Sequence, residues 1–151
     1  MLRSTLLCLC LALAACGGKS KPADPPQDTR TLFERLGGLE AITAVVDDFV
    51  ARTGSDDRIK SLFMNTDIPR IKKMMVEDIC ERTGGPCKYT GKDMVESHKD
   101  TKLKPEDFEA FMEDLEATLD KFKVPAREKK EVLDDFRSRQ EEVMRASQPK
   151  S

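Results

Sequence analysis

The sequence predicts an all-α domain, and three observations carry that prediction. Apolar residues recur at spacings of three and four through most of the chain, the period of one helix face. No stretch alternates apolar and polar residues for long enough to make a strand. Glycine and proline fall at the ends of the periodic segments, where helices start and stop.

The first residues stand apart from that domain. Met1-Leu2-Arg3 is a short positive start, an apolar run follows from Leu6 to Ala15, and small residues precede Cys16, the pattern of a signal peptide over 1–15. The run is too short for a permanent membrane span, which needs about 20 residues. Leu13-Ala14-Ala15-Cys16, followed by Gly17, resembles the bacterial lipobox, in which the cysteine takes a lipid and becomes the new N-terminus. The alternative is an ordinary secreted protein with a chance cysteine at its cleavage site. Gly17 after the cysteine, rather than Asp, points by the usual sorting rule to the outer membrane, with the chain lipid-anchored and facing the periplasm. Glycine, proline and polar residues without periodicity then make 16–30 a flexible tether. One domain is left over 31–146, followed by a disordered tail at 147–151.

Of the 5 cysteines, Cys8 and Cys10 leave with the signal peptide and Cys16 is consumed by lipid. Cys80 and Cys87 remain, in a compartment that oxidises thiols, and a disulfide is expected between them. They flank Thr83-Gly84-Gly85-Pro86, a turn able to bring their Cα atoms within bridging reach. Metal binding is the weaker alternative, because the chain has no Cys-x-x-Cys and only 1 histidine.

Charge excludes one class of partner. The 26 basic and 28 acidic residues nearly cancel and are scattered along helical faces, so no nucleic-acid patch is present.

Within the domain, Gly37-Gly38 breaks the chain before a helix carrying Ile42, Val45, Val46, Phe49 and Val50, which ends at Gly54. A second helix opens with Asp67 as cap and Pro69 in its first turn, carries Ile71, Met75 and Ile79, and stops at Gly84-Gly85-Pro86. A short helix around Lys92–His98 puts Met94 and His98 one turn apart on one side. A long helix from Pro105 carries Phe108, Phe111, Met112, Leu115 and Leu119. The last, from Pro125, carries Val132, Leu133, Phe136 and Val143. Taken alone, each stripe is core, and periodicity does not separate a bundle from other helical folds.

Three stretches say more. They are Leu32-Phe33-Glu34-Arg35-Leu36-Gly37-Gly38 leading to Val46-Asp47-Asp48-Phe49, then Ser61-Leu62-Phe63, then Gly84-Gly85-Pro86-Cys87-Lys88-Tyr89-Thr90-Gly91-Lys92-Asp93-Met94 with His98 four residues on. In order and spacing the chain resembles the group 1 truncated hemoglobins over about 31–146. The resemblance implies a two-over-two helical sandwich around heme b, with His98 as the proximal ligand of the iron. Imidazole suits that role. Without the resemblance, His98 beside Ser97, Lys99 and Asp100 reads as a solvent-exposed histidine. Phe63 matches the family's ring-stacking phenylalanine, and Phe49, Met94, Leu103 and Phe108 match apolar pocket positions. No Cys-x-x-Cys-His is present, so a thioether-linked heme is not indicated.

The distal side departs from the family. Its usual tyrosine and glutamine, which hydrogen-bond the gas ligand, correspond here to Val50 and Met75, and Ile71 one turn earlier is apolar too. Oxygen should therefore be held weakly, with carbon monoxide and nitric oxide less affected. A thioether can also ligate heme iron opposite histidine. Met75 shares the face of Ile71 and Ile79 and is the better candidate, although Met74 matches the position used for internal ligation in some relatives. The plainer alternative makes Met75 an apolar gap-filler beside an open iron.

Three functions stay open. One is a heme protein that binds diatomic gases at the cell envelope. Another is a six-coordinate electron-transfer protein using His98 and Met75. The third is a heme-free, globin-shaped interaction lipoprotein. No catalytic residue is visible. Nitric oxide dioxygenation, which the resemblance raises, relies on oxygen that this pocket holds poorly and calls for an unidentified reductase.

Overall fold

The structure, a computed structural model, describes residues 28–149. The signal peptide expected at 1–15, Cys16, most of the tether and the last two residues of the expected tail lie outside the described residues.

Thr31 starts the domain with a reciprocal cap. Its hydroxyl accepts from the Glu34 amide, and its own amide donates to the Glu34 carboxylate at 2.8 Å, which nucleates the short helix α1 (Leu32–Arg35). Gly37 and Gly38 follow at φ 94° and 77°, a region that a Cβ disfavours, and turn the chain into α2 (Gly38–Thr53). A 3₁₀ turn at Lys60–Phe63 leads to α3 (Ile68–Arg82), where the Asp67 carboxylate accepts from the Arg70 amide at 3.1 Å and Pro69 occupies the first turn. Asp93 caps the short α4 (Met94–His98) in the same way, at 2.7 Å from the Glu96 amide. Then come α5 (Pro105–Lys121), α6 (Ala126–Ser138) and α7 (Gln140–Ser147). No strand occurs among the described residues.

Helix α2 pairs with α3, α5 pairs with α6, and α2 also packs on α5, so one helix pair lies over the other. Phe49, Met112, Leu115, Leu119 and Val132 fill the space between α2, α5 and α6. Ile42, Val46, Val50 and Ile79 fill the space between α2 and α3. The short α4 rests on α7. Arg35 joins α1 to α6 through Glu128 and Glu131.

Two expectations need correction. The helix from Pro125 is not continuous but breaks at Arg139, whose amide bonds the Phe136 carbonyl three residues back at 3.2 Å. Helical bonding resumes with Val143 to the Arg139 carbonyl at 3.0 Å. The domain also runs past 146. Ser147 is fully buried and ends α7, its carbonyl accepts from the Lys102 amide at 2.8 Å, and Gln148 donates to the Leu103 carbonyl at 3.0 Å. Ser147 and Gln148 thus belong to the folded body, because they satisfy the backbone of the segment after α4.

Cys80, at the end of α3, is joined to Cys87 with Cα atoms 5.7 Å apart, well inside the bridging range. Gly85 makes room for the turn, since a Cβ there would stand 2.6 Å from the Phe33 ring and 2.7 Å from Cys80 Sγ. Among the described residues no group of three or more His, Cys, Asp or Glu side chains is placed to hold a metal ion.

Candidate functional site

The two-over-two arrangement leaves a slot of about 830 Å³, within the roughly 300–1,000 Å³ of cofactor and ligand pockets. Helix α3 forms one wall. Ile71, Met75 and Asp78 fall at intervals of four and three and turn to the same side, so all three line the slot. Phe63 enters from the end of the 3₁₀ turn. Met94 and His98 come from α4, Leu103 from the segment behind it, and Phe108 from the first turn of α5. Seven residues expected at the site are therefore brought together: Phe63, Ile71, Met75, Met94, His98, Leu103 and Phe108.

Phe49 and Val50 are not among the residues lining the slot. Val50 is 3% exposed in the α2–α3 core, and Phe49, at 1%, stands behind Phe111. The cause is the double packing of α2, which is covered by α3 and α5 together, so that α5 supplies the wall in its place. Phe111 and Phe136 line the slot and were read from periodicity only as core. Ile59 and Arg139 line it as well, and no sequence signal marked either. Met74 also borders the slot, but its Sδ lies against the Gly91 backbone, 2.8 Å from where a Cβ would stand.

His98 is half-buried and turned into the slot, which removes the reading of a solvent-exposed side chain. Its Nδ1 lies 2.9 Å from the Met94 carbonyl oxygen one turn earlier. A carbonyl can only accept, so Nδ1 carries a proton, and in the neutral ring it is Nε2 that has the lone pair. Beyond it, Asp100 and Lys102 hold left-handed φ values of 57° and 58°, folding the chain sharply back toward α5. Facing α4 across the slot, Ile71 and Met75 present no hydrogen-bond donor. Arg70 and Lys92 stand exposed beside it.

An apolar slot between paired helices, with one imidazole turned into it, suits a flat apolar cofactor held through that ring. Comparison with known proteins agrees. The family described as bacterial-like globin matches residues 31–145. A group 1 truncated hemoglobin of Tetrahymena pyriformis is 39% identical over 90 residues, 60% of this chain and 74% of the relative. The Synechocystis group 1 truncated hemoglobin is 39% identical over 99 residues, 63% of this chain and 80% of its own. In structure, the Fe(III) form of the Tetrahymena pyriformis protein superposes with TM-score 0.70 at 33% identity, covering 76% of this chain and 97% of that one. The hemoglobin of Synechococcus sp. PCC 7002, solved in the cyanomet state with covalently attached heme, gives 0.73 at 28% identity over 77% and 99%. The chain belongs to the bacterial-like globins, as a group 1 truncated hemoglobin, and is a heme-binding globin.

The residues present fit that cofactor. The slot is wide and apolar, the His98 tautomer suits an axial ligand, and Arg70 and Lys92 have the sign to meet the macrocycle's carboxylates.

Proposed function

We propose that this globin holds heme b through His98 Nε2 and binds a small diatomic gas on the opposite face, exported and anchored at the cell envelope by lipid on Cys16. The observation that carries the reading is the 2.9 Å contact of His98 Nδ1 with the Met94 carbonyl, which fixes the tautomer and ring orientation that ligation needs. Bound heme supplies an iron centre for oxygen, nitric oxide or carbon monoxide. The chain itself contributes the imidazole, the water-excluding walls, and a distal face of Ile71 and Met75 without a donor. A net hydrogen bond is worth about 1 kcal/mol. Its absence favours less polar ligands over oxygen, and oxygen storage is a poor match.

The Cys80–Cys87 bond accords with an oxidising compartment outside the cytoplasm. Met75 packs against both core clusters, which supports its role as a wall rather than an iron ligand. Absorption spectra of the periplasm-purified protein, reduced and oxidised, test the reading. A five-coordinate ferrous spectrum that changes on adding carbon monoxide is expected. A low-spin ferrous spectrum without added ligand would instead mean six-coordinate iron. No Soret band after heme addition would remove the heme function altogether.

A further inference from the structure

Arg139 sits where the last helix breaks, and the break turns its side chain into the slot. That side chain is 10% exposed, unlike the exposed Arg70 and Lys92. Its Nη1 donates to Asp78 Oδ2 at 2.7 Å and lies 3.8 Å from Met94 Sδ, while Nη2 donates to Asp135 Oδ2 at 3.1 Å. The guanidinium also stacks over the Phe136 ring, 4.8 Å from its centroid. Asp78 belongs to α3, one turn past Met75, and Met94 belongs to α4, where its carbonyl holds His98. One planar group thus touches the helices on both sides of the slot.

Burying a guanidinium beside an apolar cavity is costly unless it is well paired, so a slot needing only greasy walls would be better served by an aliphatic residue here. What the fork adds is geometry. Five donors in a fixed plane hold two carboxylates and a thioether in set directions, which a point charge does not do.

We propose that Arg139 is a positioning residue that ties α3 to α4 at one edge of the slot and, through Met94, fixes the His98 imidazole. This rests on the heme reading above. Helix α4 is a single short turn followed by left-handed residues, and such an element needs outside anchors to keep its orientation. Its anchors are α7 and this guanidinium.

The test uses the heme-loaded protein. The iron–histidine stretching band of the reduced form, read by resonance Raman, reports the imidazole's setting, and transfer of heme to excess apomyoglobin reports retention. Arg139→Met is compared alone and with Asp78→Asn, which avoids stranding a carboxylate. Both are expected to shift or broaden the band and to speed heme transfer by about tenfold or more, the usual effect of losing a group that orients a ligand. Arg139→Lys, which keeps the charge without the fork and should fold, recovers part of each. Arg82→Met removes an outer partner of Asp135 and is expected to match the wild type. An unchanged band in Arg139→Met and in the double variant, or in Arg139→Lys should those fail to fold, overturns the proposal. Equal loss of thermal stability in the Arg82 and Arg139 variants with the band unmoved also overturns it. Failure of the heme reading looks different: the wild type takes up no heme, or His98→Ala keeps its spectrum.

Discussion

Phe49 meets Phe111 edge to face, with ring centroids 4.8 Å apart and planes at 85°. The inner ring is 1% exposed and the outer one forms slot wall, so the pair passes core packing directly to the cofactor surface. Phe49→Ala should therefore cost about 3–5 kcal/mol of stability through cavity formation. Phe49→Leu should leave the heme spectrum unchanged, whereas Phe111→Leu should shift it. Denaturation and absorption spectra of the two leucine variants check this. A spectral shift confined to Phe49→Leu would return that residue to the pocket.

Met75→Gln puts back an amide donor on the distal face. One recovered hydrogen bond of about 1 kcal/mol should slow oxygen dissociation by roughly fivefold, and by more with a polarised partner. Carbon monoxide should respond much less. Flash photolysis with both gases reads the difference, and equal slowing of the two would mean steric narrowing instead.

Asp114, on α5, is 7% exposed, and its Oδ2 has no hydrogen-bond partner. Burial pushes its carboxyl up from the ordinary value, with the Asp56 carboxylate adding to the effect and the Arg52 and Arg58 guanidiniums opposing it. The unfolded chain ionises this group at lower pH than the folded one, so Asp114 costs stability as pH rises through the usual carboxylate range. Asp114→Asn should gain about 1 kcal/mol at neutral pH. The gain should vanish in acid, where the wild-type carboxyl is protonated in both states. Thermal melts near pH 7 and near pH 3 decide, and a pH-independent gap would mean another cause.

The Cys80–Cys87 bond closes a ring across the turn that leads toward α4. On the loop-entropy account, Cys87→Ser should lower stability by about 2–3 kcal/mol. Because Cys80 is fully buried, the wild type should resist mild reductant while folded. Rapid thiol labelling of the native protein under mild reduction would contradict that.

Much of the fold was legible because its helices carry their own punctuation. Asp67 with Pro69, the Gly84-Gly85-Pro86 stop, and Pro105 and Pro125 mark ends in local chemistry that tertiary packing did not override. The break at Arg139 was not legible. No glycine or proline stands there, and the bend comes with side-chain partners on α3 and α6 that are remote from it or indistinct in a stripe of charges. The pocket followed the same division. Residues whose placement depends on one helix face, such as Ile71, Met75 and His98, line the slot. Phe49 and Val50 did not, because which of two apolar helices reaches the cavity depends on how α2 and α5 stack. Among so many charged residues, Arg139 carried no mark until its burial and its partners were seen.

Removing only the imidazole tests the central claim most directly. His98→Gly should lose heme affinity and the five-coordinate ferrous spectrum, and added free imidazole should restore both by filling the vacated space. If His98→Gly holds heme as tightly as the wild type, with the same spectrum and no response to imidazole, the iron is held elsewhere and the account is wrong.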